Sequence, residues 1–204
     1  AGDGGVILRT SNGGHSWAQQ TSGTTSNINH LYFRGVRQGW AVGDDGLLLR
    51  TTNGGSTWIS NSSGTSLNLR GISAGTDSLV VAVGDLGTVL RSADGGQSWG
   101  AQLSNTIRNL RSVSVPDGTN GWAVGQDGRV VRTQDGGASW TEQIVASGTP
   151  ELRGVRFVDE NRGWAVGTGG SILRTQNGGD SWSSINSGTT ADLESVSFVS
   201  NPEG

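Results

Sequence analysis

The chain has 204 residues, with 36 Gly, 3 Pro, 8 Trp, 32% hydrophobic and 15% charged residues; that much glycine excludes long helices, and the tryptophans with regularly placed Val, Ile and Leu exclude disorder. A net charge of −3 offers no basic field to nucleic acid, and no apolar run reaches the ~18 residues of a membrane-spanning helix. The absence of Cys removes disulfides, thiolate chemistry and cysteine-ligated zinc, and the absence of Met means that the chain does not begin at a translation start.

It is therefore expected to be a processed mature chain or a piece of a longer one, and a removed signal peptide fits. The first expected strand is Val6 to Thr10, which runs into the phrase LRTSNGGHSW at residues 8 to 17. Close copies follow as LRTTNGGSTW, LRSADGGQSW, VRTQDGGASW and LRTQNGGDSW, with the closing Trp at 17, 58, 99, 140 and 182. Spacings of 41, 41, 41 and 42 define a repeat, and a fixed period constrains architecture before any motif does. A second strand, Trp17 to Gln20, leads to Ser22-Gly23-Thr24, matched by Ser63-Gly64-Thr65 and Ser187-Gly188-Thr189 and, in the third copy, by Ser104-Asn105-Thr106. Asn is the next best residue to Gly at positive φ, so this position is predicted to be left-handed.

Two further runs complete each unit. LRGIS, LRSVSV, LRGVRF and LESVSF precede GWAVGDDG from Gly39, VVAVGDLG from Val80, GWAVGQDG from Gly121 and GWAVGTGG from Gly163 in their alternation along the chain. Pairs such as Asp44-Asp45 between Gly43 and Gly46 suit a tight hairpin into the next LRT phrase. In order, the strands are A (L-x-x-V-x-F), B (W-A-V-G), C (G-x-x-L-R-T) and D, which starts at the Trp. This predicts an all-β chain forming one domain over residues 1–204, a five-bladed β-propeller of four-stranded antiparallel blades. A β-solenoid is disfavoured because the tight B–C turn demands antiparallel pairing.

Aligning the two ends shows that one strand B lacks its Trp-Ala. Leu193 to Val199 are therefore expected to close the propeller as the innermost strand of the blade that holds Val6 to Thr10 and Trp17 to Gln20. Strand B of that blade should be short or missing, and Ala1 should lie within ~15 Å of Gly204.

The repeated phrase matches the Asp-box, Ser/Thr-x-Asp-x-Gly-x-Thr/Ser-Trp, five times. Its first position is Thr10, Thr51, Ser92, Thr133 and Thr175; its third is Asn12, Asn53, Asp94, Asp135 and Asn177; its fifth is Gly14, Gly55, Gly96, Gly137 and Gly179. With GWAVG, the whole chain resembles the BNR-repeat propellers related to the photosystem II stability and assembly factor, a resemblance that implies a propeller serving protein binding or assembly. The physical role of the phrase needs no family: a short Asp or Asn side chain accepts the N–H groups of its own turn, Gly takes positive φ, and Trp17, Trp58, Trp99, Trp140 and Trp182 bury their rings beside the hairpin. Asn replaces Asp in three of five copies, so the position needs no negative charge and is not a general acid or nucleophile.

Sialidases and several glycosidases carry Asp-boxes too. Glycoside hydrolysis needs a facing pair of carboxylates, or a Tyr nucleophile with an arginine cluster. The single Tyr32 reads as a packing residue, and Asp3, Asp44, Asp85 and Asp127 recur at hairpins, so no enzyme, cofactor or metal is expected. His15 and His30 are the only histidines, 15 residues apart, and do not make a metal site. Arg9, Arg50, Arg91, Arg132 and Arg174 share one place on strand C and read as blade-building groups that bond turn carbonyls or a neighbouring acid. Strand A varies instead, as Asn29, Arg70, Arg111, Arg153 and Glu194; the three arginines are the candidate binding residues, gathered near a channel mouth to attract an acidic partner, with a solvated rim as the bland alternative.

The expectation is a non-catalytic propeller outside the cytoplasm (extracellular, periplasmic or in the cell envelope) that acts as a protein-binding or assembly scaffold. One alternative is a structural subunit of an extracellular assembly or filament, packed against copies of itself; the other is a glycan-binding or glycosidase-like Asp-box module.

Overall fold

The computed structural model describes residues 1–143, 145 and 150–198. β1 (Ile7–Arg9) and β2 (Ala18–Gln20) form a two-stranded sheet. Four four-stranded antiparallel sheets follow in chain order: β3 (Ile28–Arg34), β4 (Gln38–Gly43), β5 (Leu48–Thr51) and β6 (Ile59–Ser60); β7 (Leu69–Ala74), β8 (Val80–Gly84), β9 (Val89–Ser92) and β10 (Gly100–Gln102); β11 (Leu110–Ser114), β12 (Gly121–Gly125), β13 (Val130–Thr133) and β14 (Thr141–Gln143); and β15 (Leu152–Phe157), β16 (Gly163–Gly167), β17 (Ile172–Thr175) and β18 (Ser183–Ile185). Each sheet is a meander, so the A-B-C-D order read from the repeat is the order of its ladder. Successive inner strands β3, β7, β11 and β15 pack on one another, which places strand A at the axis and strand D at the rim.

Alternation along the strands decides which neighbour each side chain meets. In the second blade Leu48 joins Trp40 and Val42 in a cluster with Leu69, Ile72 and Val80 of the third, whereas Leu49 and Ala41 pack back onto Ile7 of the first. Both faces of an interior blade are therefore buried, and strands such as Val80–Gly84 read as continuous apolar runs.

The B–C turns are single 3-10 turns, as at Asp44–Gly46, with Asp45 at φ 57° and Gly46 at φ 69°. A Cβ on Gly46 would run into the carbonyl oxygen of Thr65, which makes glycine obligatory there. The D–A link is left-handed as expected: Gly23, Gly64 and Gly188 have φ of 77°, 74° and 73°, and Asn105 substitutes at 59°. The one residue by which the last Trp spacing exceeds 41 is expected in the link between Trp140 and Trp164, where residues 144 and 146–149 lie outside the described residues.

The first sheet is the one that lacks strand B. Its sharing by the two chain ends is not seen among the described residues: Leu193 to Phe198 join no ladder with β1 or β2. Instead the Leu193 N–H donates to the Gly167 carbonyl at 3.0 Å, Ser195 packs against Gly154, and the Phe198 ring lies 4.4 Å from that of Trp164. The segment lies beside β15 as each inner strand lies beside the one before it, and no described residue of it pairs with Ile7–Arg9. The Ala1 to Gly204 separation, like Val199, lies outside the described residues.

Candidate functional site

The Asp-box turn is built as its residue types demand. In the second blade Thr51 Oγ1 accepts the Gly55 N–H at 3.0 Å and donates to Asn53 Oδ1 at 3.0 Å; the same Oδ1 accepts the Thr57 N–H at 3.0 Å, and Asn53 Nδ2 donates to Thr57 Oγ1 at 2.9 Å. Asn12 and Asn177 repeat this pattern. Asp94 and Asp135 keep the backbone bond and accept the Ser98 and Ser139 hydroxyls instead. Those hydroxyls, then the backbone N–H groups beside them, hold the Asp135 carboxyl down to about 2 and Asp94 further below the usual carboxylate range. All five side chains bond within their own turns.

Burial of the closing tryptophans differs from the expectation at one position. Trp140 is 1% exposed and Trp58, Trp99 and Trp182 are half-buried, but Trp17 is 60% exposed. Each later ring packs into a cluster shared with the preceding blade; Trp17, with Leu8 beside it on the first sheet, has no preceding blade among the described residues.

The strand C arginines act across blades. Arg50 Nε donates to the Gly95 carbonyl and Arg91 Nε to that of Gly136, both at 2.7 Å; Arg9 reaches Ser56 Oγ at 3.1 Å and Arg132 reaches Asp180 at 2.8 Å. Trp40 and Trp122 direct their indole N–H groups to the same kind of carbonyl, Gly95 at 3.0 Å and Gly178 at 2.9 Å. Arg174 ends the series with its Nε buried and, among the described residues, unpartnered, its guanidinium 5.6 Å over the Trp164 ring.

The strand A series converges as the sequence suggests. A β-bulge falls between Ile28 and His30, Leu69 and Gly71, Leu110 and Ser112, and Leu152 and Gly154, so the bulged residue is Asn29, Arg70, Arg111 or Arg153. A bulge re-aims its side chain, and these four, with Glu194, line one cavity of about 410 Å³ at the start of the inner strands.

The electrostatics are not those of a bare basic trio. Arg70 forms a fork with Asp85, its Nη2 at 2.9 Å from Oδ2; Arg111 Nε lies 2.7 Å from Glu151 Oε1; Arg153 pairs with Glu194 and lies 3.1 Å from Asp192. Asn29 donates to Asp44 at 2.9 Å. The hydrogen bond to Asp85 raises the Arg70 guanidinium above its usual value, and the bond to Glu194 does the same for Arg153. Three guanidiniums thus face the five carboxylates of Asp44, Asp85, Glu151, Asp192 and Glu194, and the long-range pull on an acidic partner is cancelled at the mouth itself. The hairpin acid Asp85 was missed as a member of this site because its repetition marked it as a turn residue, and the pre-strand acid Glu151 was missed because its sister positions Asn27, Asn68 and Asn109 carry no charge. Among the described residues His15 and His30 belong to no cluster able to hold a metal ion, and no helix is long and apolar enough to cross a membrane.

The sequence profile of the family described as Photosynthesis system II assembly factor YCF48 matches residues 1–118 and 108–191. Among solved structures, the chain is similar to YCF48 bound to D1 peptide, with 22% identity over 83% of this chain and 56% of that one and a TM-score of 0.66. It is similar to YCF48 from Cyanidioschyzon merolae at 21% identity, covering 95% of this chain and 71% of that one with a TM-score of 0.70. It is also similar to virginiamycin B lyase from Staphylococcus aureus at 15% identity, covering 89% and 63% with a TM-score of 0.76. These likenesses are of fold, and the chain spans 56% of the first of these structures. No curated protein sequence matches the chain significantly.

Proposed function

Because the chain belongs to the photosystem II assembly factor YCF48 family of BNR propellers, we propose that it is a non-catalytic scaffold that binds a segment of a partner protein at the mouth of its inner strands. The observation that carries this reading is the convergence of the bulged Arg70, Arg111 and Arg153 with Asn29 and Glu194 around one cavity. Each guanidinium is half-buried and already oriented by a carboxylate, so its remaining N–H groups are preset for the carbonyl oxygens of a bound peptide at little cost in side-chain entropy. The bound D1 peptide of the related structure supports a polypeptide ligand. Titration of a fluorescent D1 peptide tests it: Arg70→Ser/Arg111→Ser/Arg153→Ser should weaken binding about tenfold or more while the fold persists. Unchanged affinity in a folded triple variant rejects the mouth as the contact surface.

The proposed setting is outside the cytoplasm. A chain without cysteine is indifferent to the redox state of that compartment, and fractionation of native cells that recovers the protein only with cytoplasmic markers would reject it. A second reading, assembly from copies, is favoured by the exposed Leu8 and Trp17 on the first sheet. Sedimentation would show concentration-dependent association that Trp17→Ser abolishes.

A further inference from the structure

The repeat provides an internal comparison that singles out the third blade. Between the B–C turn and the D–A link lies a recess found in several blades. In the first it is lined by Gly4, Gln19, Thr21 and Thr25, and in the second by Asp45, Ser62 and Ser66 with Leu47 as its one aliphatic side chain. In the third the equivalent positions are Leu86, Leu103 and Ile107, which line a cavity of about 610 Å³. In the fifth they are Gly169, Asn186 and Thr190; the fourth, with Asp127 and Ile144 at the first two positions, lies partly outside the described residues. The three aliphatic side chains are 62%, 82% and 77% exposed. They support no core, yet they lie together.

Leu86 also occupies a backbone conformation that leucine avoids. Its φ is 52°, at the turn position held elsewhere by Gly4, Asp45, Asp127 and Gly169. A bulky residue at positive φ is an outlier that persists where the surroundings fix it, and here the Leu86 N–H is tied to Asn109 Oδ1 at 2.9 Å. The far wall is equally set, with Asn105 at φ 59° and its Nδ2 2.7 Å from the Trp140 carbonyl. The rim carries both signs as pairs: Arg108 Nε with Asp127 at 3.0 Å, and Arg129 with Glu142.

We infer that this recess receives an aliphatic or aromatic side chain of the partner polypeptide, as an apolar anchor beside the charged mouth. The inference rests on the proposed peptide-binding reading and extends it outward along the same face: Asp85, which holds Arg70 at the mouth, directly precedes Leu86. An apolar centre inside a polar rim is the anatomy of a protein contact. A rim of paired opposite charges suits a polypeptide and disfavours an anionic bilayer, which selects an uncompensated basic patch.

The test uses the full chain, overlapping D1 peptides, and the same peptides with each apolar residue replaced by Ser. Leu86→Gly/Leu103→Thr/Ile107→Thr installs the first blade's residues, so the fold is kept. It should weaken the best peptide about tenfold, and Ser at the anchor of that peptide should cost wild type as much and the triple variant almost nothing. Equal binding by the triple variant overturns the inference. If the recess variant binds normally and the arginine variant does not, the recess fails and the mouth stands; the reverse outcome keeps the recess and rejects the mouth. Failure of every peptide to bind overturns both. Recess-dependent binding to phosphatidylglycerol vesicles, or recess-dependent self-association, with no peptide bound assigns the surface to lipid or to a second copy and overturns the peptide anchor.

Discussion

The Trp40 indole N–H donates to the carbonyl of Gly95 across 3.0 Å, although 55 residues separate them, and Arg50 Nε donates to the same oxygen at 2.7 Å. A carbonyl has two lone pairs, and this one uses both to join a blade to its successor. Trp40 is fully buried. Trp40→Phe keeps an aromatic ring and removes the donor, and should lower stability by ~1–3 kcal/mol, read from urea unfolding.

The tryptophans that close the Asp-boxes should not be equal. Trp140→Ala empties a site between two blades and is expected to cost ~3–5 kcal/mol. Trp17→Ala removes a ring that is mostly in water and should stay within ~0.5 kcal/mol of wild type. Denaturant midpoints of the two variants distinguish them directly.

Acid should unfold the chain partly through its Asp-boxes. Asp135 has a folded value of about 2 against an ordinary 3.8, and Asp94 shifts in the same direction. A depressed carboxyl contributes its stability in full above the unfolded value, and the contribution is lost as pH falls from about 4 through about 2. Asp94→Asn/Asp135→Asn copies the turns of the other three blades. It should match wild type at neutral pH and show a shallower loss of urea midpoint across that acid window.

Leu86→Gly should stabilise the fold. Gly4 and Gly169 occupy the same turn position at φ 62° and 64°, and relief of left-handed strain exceeds the extra entropy of the unfolded chain by ~0.5–1 kcal/mol. A higher melting temperature together with weaker peptide binding would show strain retained for contact.

Much of the fold is legible because each repeat reports on the others. The 41-residue period, the four apolar runs and the Gly-to-Asn exchange at Asn105 place strands and turns, and the Asp-to-Asn exchange at Asn12, Asn53 and Asn177 marks the box as structure. The convergence of Arg70, Arg111 and Arg153 is legible from their shared register. Their neutralisation is not: Asp85 lies 15 residues beyond Arg70, Glu151 40 beyond Arg111 and Glu194 41 beyond Arg153, so which carboxylate turns toward which guanidinium depends on the bulge and the neighbouring blade. The exposure of Trp17 was hidden for a related reason, since the motif records its turn and not the sheet behind it. Leu86, Leu103 and Ile107 could have been found by comparing blades for apolar residues where their sisters are polar.

The carbonyl shared by Trp40 and Arg50 has a consequence for how such chains grow. Donor and acceptor lie farther apart than one repeat is long, so the repeats of Trp40 and Trp122 do not satisfy these indoles themselves; each takes a turn from the blade after it. Duplicating a 41-residue window that contains Trp40 or Trp122 adds one offer and one demand together. Insertion of a whole period is therefore neutral for the interfaces on either side, while an insertion of half a period strands an indole on one flank and a carbonyl on the other.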